Sequence, residues 1–160
     1  MKLYHIIPLL MLAGSAAKAD APYQSFTFQS KLYNAAGTAA LTSASVDVTF
    51  QIWSPTGPNQ CLLYEEKQTA FNLSTSGGIF TAQVGSATGA TKRTANDPGL
   101  SMSTIYSNNA TQIRAAGANC TAGYTPSARD ERVLRVTWDD GSTTQTLADE
   151  TISTVPAAVV

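Results

Sequence analysis

Gly77-Gly78-Ile79-Phe80-Thr81-Ala82-Gln83-Val84-Gly85 is the stretch that decides the fold. In an extended backbone successive side chains point to opposite faces, so Phe80, Ala82 and Val84 share one side while Ile79, Thr81 and Gln83 share the other. This is a strand with one buried face. Glycines bracket it, Gly77-Gly78 where the chain turns in and Gly85 where it turns out, through φ angles closed to residues with a Cβ.

The same two-residue period governs the chain on both sides. Upstream, Cys61 to Gln68 predicts a strand whose register leaves either Leu62 or Leu63 inward, joined to the first stretch by polar Asn72-Leu73-Ser74-Thr75-Ser76. Ser54-Pro55-Thr56-Gly57-Pro58-Asn59 is a loop, because its prolines lack the amide hydrogens a ladder needs. Val46-Asp47-Val48-Thr49-Phe50-Gln51-Ile52 alternates most cleanly, with Asp47, Thr49 and Gln51 on the polar face. Ser25 to Gln29 opens the series, Leu32 continues its apolar register, and Asn34-Ala35-Ala36-Gly37 is a turn. Downstream, Val133 to Trp138 alternates again, Asp140-Gly141 is a favoured hairpin dipeptide, and Thr143 to Leu147 forms the returning arm.

Between these strands, Ser86 to Asp130 is rich in Ala, Thr, Ser, Asn and Gly and reads as a long surface insertion. It predicts one short helix, capped by Asp97, begun by Pro98 and turning Leu100, Ile105 and Tyr106 inward. The expected architecture is all-β: an antiparallel β-sandwich with one long loop insertion carrying a short helix.

Met1 to Ala19 reads as a secretory signal peptide, with Lys2 in the charged region, Ile6 to Ala13 as apolar core and Ala17-Lys18-Ala19 as cleavage site. That core is shorter than the roughly 20 residues a bilayer span takes. Ser15 stands where a lipoprotein signal needs cysteine, so no lipid anchor is expected here. The module then spans 20–156. Pro156 and the apolar Ala157-Ala158-Val159-Val160 read as the start of a continuation at 157–160, so the chain is expected to be the front of a longer protein.

Removal of the signal takes His5, the one histidine, and leaves eight of ten basic residues (Lys2 and Lys18 go) against eleven acidic, about −3. Nucleic acid is not an expected partner, since its binding rests on phosphate neutralisation by Lys and Arg. Cys61 and Cys120 are the only cysteines and in an exported chain are expected to pair. A zinc site lacks further ligands, and no cofactor or metal is expected.

Without an imidazole the usual Ser-His-Asp and Cys-His hydrolytic arrangements cannot form. Glu65-Glu66 are neighbours on a strand, face opposite sides and cannot flank one bond; they read as a solvated or salt-bridged edge. Asp139-Asp140-Gly141-Ser142 reads as a turn rather than a calcium loop. Lys92-Arg93, Arg129, Arg132 and Arg135 read as loop solubilisers, Arg132 balancing Asp130, with anionic sugars or lipid phosphates as the functional alternative. Trp53, Tyr106 and Tyr124 are the candidate ligand or subunit contacts, because aromatic faces offer large apolar area at little entropic cost. Trp53 falls on its strand's polar face, where it packs a second layer, meets a neighbouring subunit or binds a ligand.

Three segments together carry a family resemblance: Phe28-Gln29-Ser30-Lys31-Leu32 with Asn34-Ala35-Ala36-Gly37; Tyr64-Glu65-Glu66 leading to Ser76-Gly77-Gly78-Ile79-Phe80 and Val84-Gly85; and Val133-Leu134-Arg135-Val136 ending in Ile152-Ser153-Thr154-Val155-Pro156-Ala157. They resemble the N-terminal β-sandwich module of bacterial trimeric fibre surface proteins, the mosaic adhesive trimer type of predatory bacteria. That family often has glycine at the position of Ser30 and an aromatic at that of Ala158. The resemblance implies a non-catalytic base or spacer domain of an exported, cell-surface fibre. It also implies a homotrimer in the full-length protein and a glycan or cell-surface target met through a distal tip. The alternative is a carbohydrate-binding module that recognises surface glycans directly through Trp53 and the tyrosines of the insertion.

Overall fold

Residues 25–85 and 92–153 are described by the computed structural model, and they form two antiparallel sheets. The strands are β1 (Phe26–Lys31), β2 (Val46–Trp53), β3 (Leu62–Phe71), β4 (Ile79–Val84), β5 (Arg132–Asp139), β6 (Thr144–Thr146) and β7 (Glu150–Ile152); one short helix, α1 (Met102–Ile105), lies between β4 and β5. The larger sheet has the order β3-β2-β5, with β6 and β7 both on the far side of β5, and the smaller sheet is β1-β4. The fold is the all-β antiparallel arrangement expected. The signal at 1–19 and the continuation at 157–160 lie outside the described residues.

Alternation makes the sandwich. Val46, Val48, Phe50 and Ile52 are wholly buried along β2, and across the ladder Val48, Phe50 and Ile52 oppose Trp138, Val136 and Leu134 of β5. Phe80, Ala82 and Val84 of β4 are buried too, while Ile79 on the other face is 45% exposed. The sheets meet through aromatic rings: Phe28 lies 5.5 Å from Phe50 and Phe80 lies 5.2 Å from Phe71, while Phe28 and Phe80, neighbours within the smaller sheet, lie 5.8 Å apart. Such pairs add about 0.5–1.5 kcal/mol each beyond area burial. They place β1 over β2 and β4 over β3.

Gly78 shows why that turn needs glycine. Its φ is +81°, and a Cβ there would stand 2.5 Å from the carbonyl oxygen of Leu32. The same backbone approach delivers the hydrogen bond from Leu32 N–H to Gly78 O at 2.9 Å.

The insertion is fastened to the larger sheet. Cys61 and Cys120 form a disulfide that bridges a sequence separation of 59. Lys67 N–H donates to Lys92 O at 3.0 Å and Thr94 N–H to Glu65 O at 3.4 Å, so residues 92–94 run along the outer edge of β3. That cover buries both faces of β3 from Leu62 to Glu66. A register shift between the Ile52 and Trp53 pairings resolves the choice left open at Leu62 and Leu63, since both are buried and Leu63 belongs to the main core.

The helix departs from expectation at its start. Ser101 caps α1, its hydroxyl accepting from Thr104 N–H at 3.1 Å. Asp97 instead accepts from Glu65 N–H at 2.8 Å, from Gly99 N–H at 2.9 Å and from Arg93 at 2.7 Å. A carboxylate beside a sheet edge takes the edge's free amide, and the helix begins at the next residue able to cap it.

Candidate functional site

Two polar assemblies and one surface hollow contain the residues singled out from the sequence. The first assembly crosses the outer face of the larger sheet. Arg135 holds Asp149 through paired bonds of 2.9 and 2.7 Å, and its guanidinium lies 5.1 Å from the Trp53 ring centroid. The Trp53 indole N–H donates to Gln51 Oε1 at 3.1 Å, and Gln51 Nε2 donates to Glu65. Glu65 also accepts from the Thr94 hydroxyl and from Asn96 Nδ2, the latter at 3.2 Å. Trp53 therefore packs within its own chain, capped by a cation and tied at its polar end. Arg135 pairing lowers the Asp149 carboxyl below its usual value, and Asp149 raises Arg135.

Glu65 and Glu66 correct the expectation of a solvated edge, for they are 4% and 0% exposed. They do face opposite ways. Glu66 points between the sheets, where it accepts from the Tyr64 hydroxyl, from Gln68 Nε2 and from Gly85 N–H. Gln68 Nε2 also donates to Gln83 O at 3.0 Å, so this cluster ties β3 to the end of β4. A buried carboxylate is costly unless donors surround it, and both have them.

The second assembly gathers the insertion around Arg132, which is wholly buried. Its guanidinium makes five hydrogen bonds: to the carbonyls of Ile105 (2.7 Å), Asp130 (3.2 Å), Glu131 (2.9 Å) and Ser107 (3.3 Å), and to Asn108 Oδ1 (2.8 Å). It lies 5.2 Å from the Tyr124 ring centroid, while the Tyr124 hydroxyl donates to Asp130 Oδ2 at 2.9 Å. Arg132 is thus an internal fastening and not a loop solubiliser. The signal was present in the sequence: Arg132 has the parity of Leu134, Val136 and Trp138, which places it on the core face.

Tyr106 and Tyr124 join this assembly and not the Trp53 row. Burial pushes the Tyr106 phenol up to about 12, Arg132 opposing the shift, and its hydroxyl has no hydrogen-bond partner among the described residues. Burial, followed by the bond to Asp130, raises Tyr124 as well. Burial lowers the Arg132 guanidinium from its usual value. The remaining basic residues divide: Arg93 binds Asp97 and Leu100 O (2.8 Å) and lies 4.5 Å from the Tyr64 ring centroid, whereas Arg129 is exposed.

Asp139 and Asp140 build the turn. Gly141 N–H donates to Asp139 Oδ1 at 2.7 Å, and Ser142 and Thr143 N–H donate to Asp140 Oδ1 at 2.9 and 2.8 Å. Among the described residues no group of three or more His, Cys, Asp or Glu is placed to hold a metal ion. A hollow of about 400 Å³, lined by Ser103, Thr104, Ser107, Asn109, Thr111, Gln112 and Ile113, opens on the insertion. Only folding gathers those hydroxyl and amide residues into one hollow.

These features define an all-β domain whose formed disulfide fits an oxidising, extracytoplasmic compartment. Residues 27–150 match the family of domains of unknown function designated DUF8740, and the chain belongs to that family. No curated protein and no solved structure matches the chain.

Proposed function

We propose that the domain is a non-catalytic structural module, the base or spacer of an exported, cell-surface fibre that assembles as a homotrimer in the full-length protein and adheres through a distal tip. The observation that supports this reading is the use of Glu65, Glu66 and Arg132, the groups acid/base or anion chemistry would employ, as buried fastenings between strands and insertion. Each is saturated with internal partners, which is how a load-carrying domain uses polarity. Light scattering on the full-length protein tests the assembly: a trimer is expected, and a monodisperse monomer refutes it.

The hollow on the insertion favours a second reading, direct recognition of surface glycans. Its lining is uncharged and rich in hydroxyl and amide groups, the chemistry that matches neutral sugars, although the sugar-stacking role first assigned to Trp53 and the tyrosines is taken up by internal contacts. A glycan array probed with this domain separates the readings. The structural role expects silence, and the glycan-binding role expects neutral glycans whose capture is lost in Gln112→Ala.

A further inference from the structure

The smaller sheet stops short of the larger. β4 lies over β3 and β1 over β2, while β5 and the chain from Leu147 to Glu150 continue beneath the border of β1. Among the described residues β1 pairs with β4 alone. The Leu32 N–H to Gly78 O bond continues the β1–β4 register by one step and fixes the phase of that ladder. Phe26, Phe28 and Ser30 exchange bonds with β4, so the N–H and C=O groups of Thr27, Gln29 and Lys31 point at the open border.

Three features of the border describe what fits it. Its donors and acceptors recur about every 6.8 Å, the two-residue repeat of an extended polypeptide. Behind it lies a cleft of about 270 Å³ lined by Phe28, Val136, Leu147 and Ala148, with room for a large aliphatic side chain. The third feature is charge. Glu150 lies at the margin of the cleft and pairs with Leu134 across the β5–β7 ladder, which gives it the parity of the core face. It is nonetheless exposed, and its carboxylate has neither hydrogen bond nor ion pair among the described residues. An inward-facing carboxylate beneath an unfilled strand position suits a cation carried by that strand. At the other end of the border Lys31 is exposed, lies 5.3 Å from the Tyr33 ring centroid and has no acidic partner among the described residues. The layer beneath also limits the occupant. A strand that brings a second layer of its own, as β1 of another copy would, collides with β5, so only a lone extended segment fits.

We propose that this border receives an extended peptide segment of a partner protein, added antiparallel to β1 as a third strand of the smaller sheet, in which a large aliphatic residue is followed two positions later by lysine or arginine. Backbone bonds to Thr27, Gln29 and Lys31 supply affinity, and alternate side chains supply choice. Residues opposite Ser30 and Phe28 turn inward, because paired residues of a ladder share a face. The aliphatic side chain opposite Ser30 enters the cleft, where the small serine leaves it space. The basic side chain opposite Phe28 reaches Glu150, and an acidic residue opposite Lys31 completes the match. Such a dock goes beyond the structural role, gives a base domain a means of attachment and is independent of threefold assembly.

The probe is a peptide blocked at both ends, Ser-Asp-Leu-Thr-Lys-Thr-Ser, titrated into the purified chain by calorimetry, with amide hydrogen exchange followed by nuclear magnetic resonance. Saturable binding is expected, together with slowed exchange at Thr27, Gln29 and Lys31. Exchanging the leucine with the threonine that follows it turns the aliphatic group outward and weakens binding about tenfold. Gln29→Pro removes an outward-pointing amide, which an edge strand tolerates, and weakens binding about as much with an unchanged far-ultraviolet spectrum. Glu150→Lys weakens binding of this peptide about fivefold and restores it for a peptide with glutamate in place of its lysine. A chain that does not bind the peptide overturns the proposal. So does binding indifferent to the position of leucine, to Gln29→Pro and to the exchange of charges. Slow exchange of the three amides without peptide overturns it equally, because the chain's own remaining residues then hold the border.

Discussion

Replacing Arg132 by methionine probes the fastening of the insertion most directly. Its five acceptors are four backbone carbonyls and one side-chain oxygen, and the carbonyls remain whatever residue stands at 132. The usual argument that a buried charge can be exchanged for a hydrophobe at little cost therefore fails here, because that exchange must remove both partners. The bond to Ile105 O is wholly buried, and an orphaned buried acceptor costs about 1–3 kcal/mol. The part-buried acceptors can recruit water and add less, and the cation over Tyr124 contributes about 1 kcal/mol more. Relief of the guanidinium's desolvation offsets part of this, which leaves a net loss of about 3 kcal/mol. Arg132→Lys, with one ammonium in place of a planar fork, loses about 2 kcal/mol. Equilibrium urea unfolding measures it, with a midpoint lower by about 1–2 M in Arg132→Met and an unchanged slope. Arg129→Met at an exposed site is the control and stays within about 0.5 kcal/mol. A loss below 1 kcal/mol in Arg132→Met refutes the idea that this side chain holds the insertion to β5.

The joint variant Cys61→Ser with Cys120→Ser opens a loop spanning a separation of 59 residues and, on the loop-closure account, costs about 4 kcal/mol; differential scanning calorimetry should register a fall of about 10–15 °C. Tyr106→Phe removes a buried hydroxyl without a partner and raises stability by about 1 kcal/mol at neutral pH. Its effect grows under alkali: a phenol raised from 10 to about 12 contributes stability that is intact below the unfolded value and is lost as pH rises through the folded value, so the variant should show a flatter loss between pH 10 and 12 in chemical denaturation. Gly78→Ala forces a Cβ against Leu32 O at φ +81° and should lower the urea-derived stability by about 2 kcal/mol or more. The Asp149 carboxyl, lowered by Arg135, stabilises the fold above the unfolded carboxylate range and ceases to as pH falls through its folded value, so Asp149→Asn should flatten the acid limb of a pH–stability profile.

The strands were legible because their two-residue period survives in the sequence: Val46 to Ile52 and Ile79 to Val84 have the faces that alternation assigns them. What escaped notice is polar material at core parity. Glu66 reads as exposed by residue type, although it shares a face with Tyr64, and Arg132 shares one with Leu134; in each case donors or carbonyls from distant loops permit the burial. Sequence spacing cannot announce such partners, which lie 19 and 27 residues away in the bonds Gly85–Glu66 and Arg132–Ile105. The helix cap was misplaced for the same reason, since Asp97 answers an amide of β3 and that of Gly99, neither of them an amide of the helix.

The shelter over β3 comes from a tether and not from a neighbouring strand of the sheet itself. Residues 92–97 reach that margin through hydrogen bonds to β3, and the Cys61–Cys120 bond shortens the leash on the insertion that carries them. With those sulfurs reduced the leash is longer, and material purified under strong reductant is expected to be the more prone to stack into ribbons.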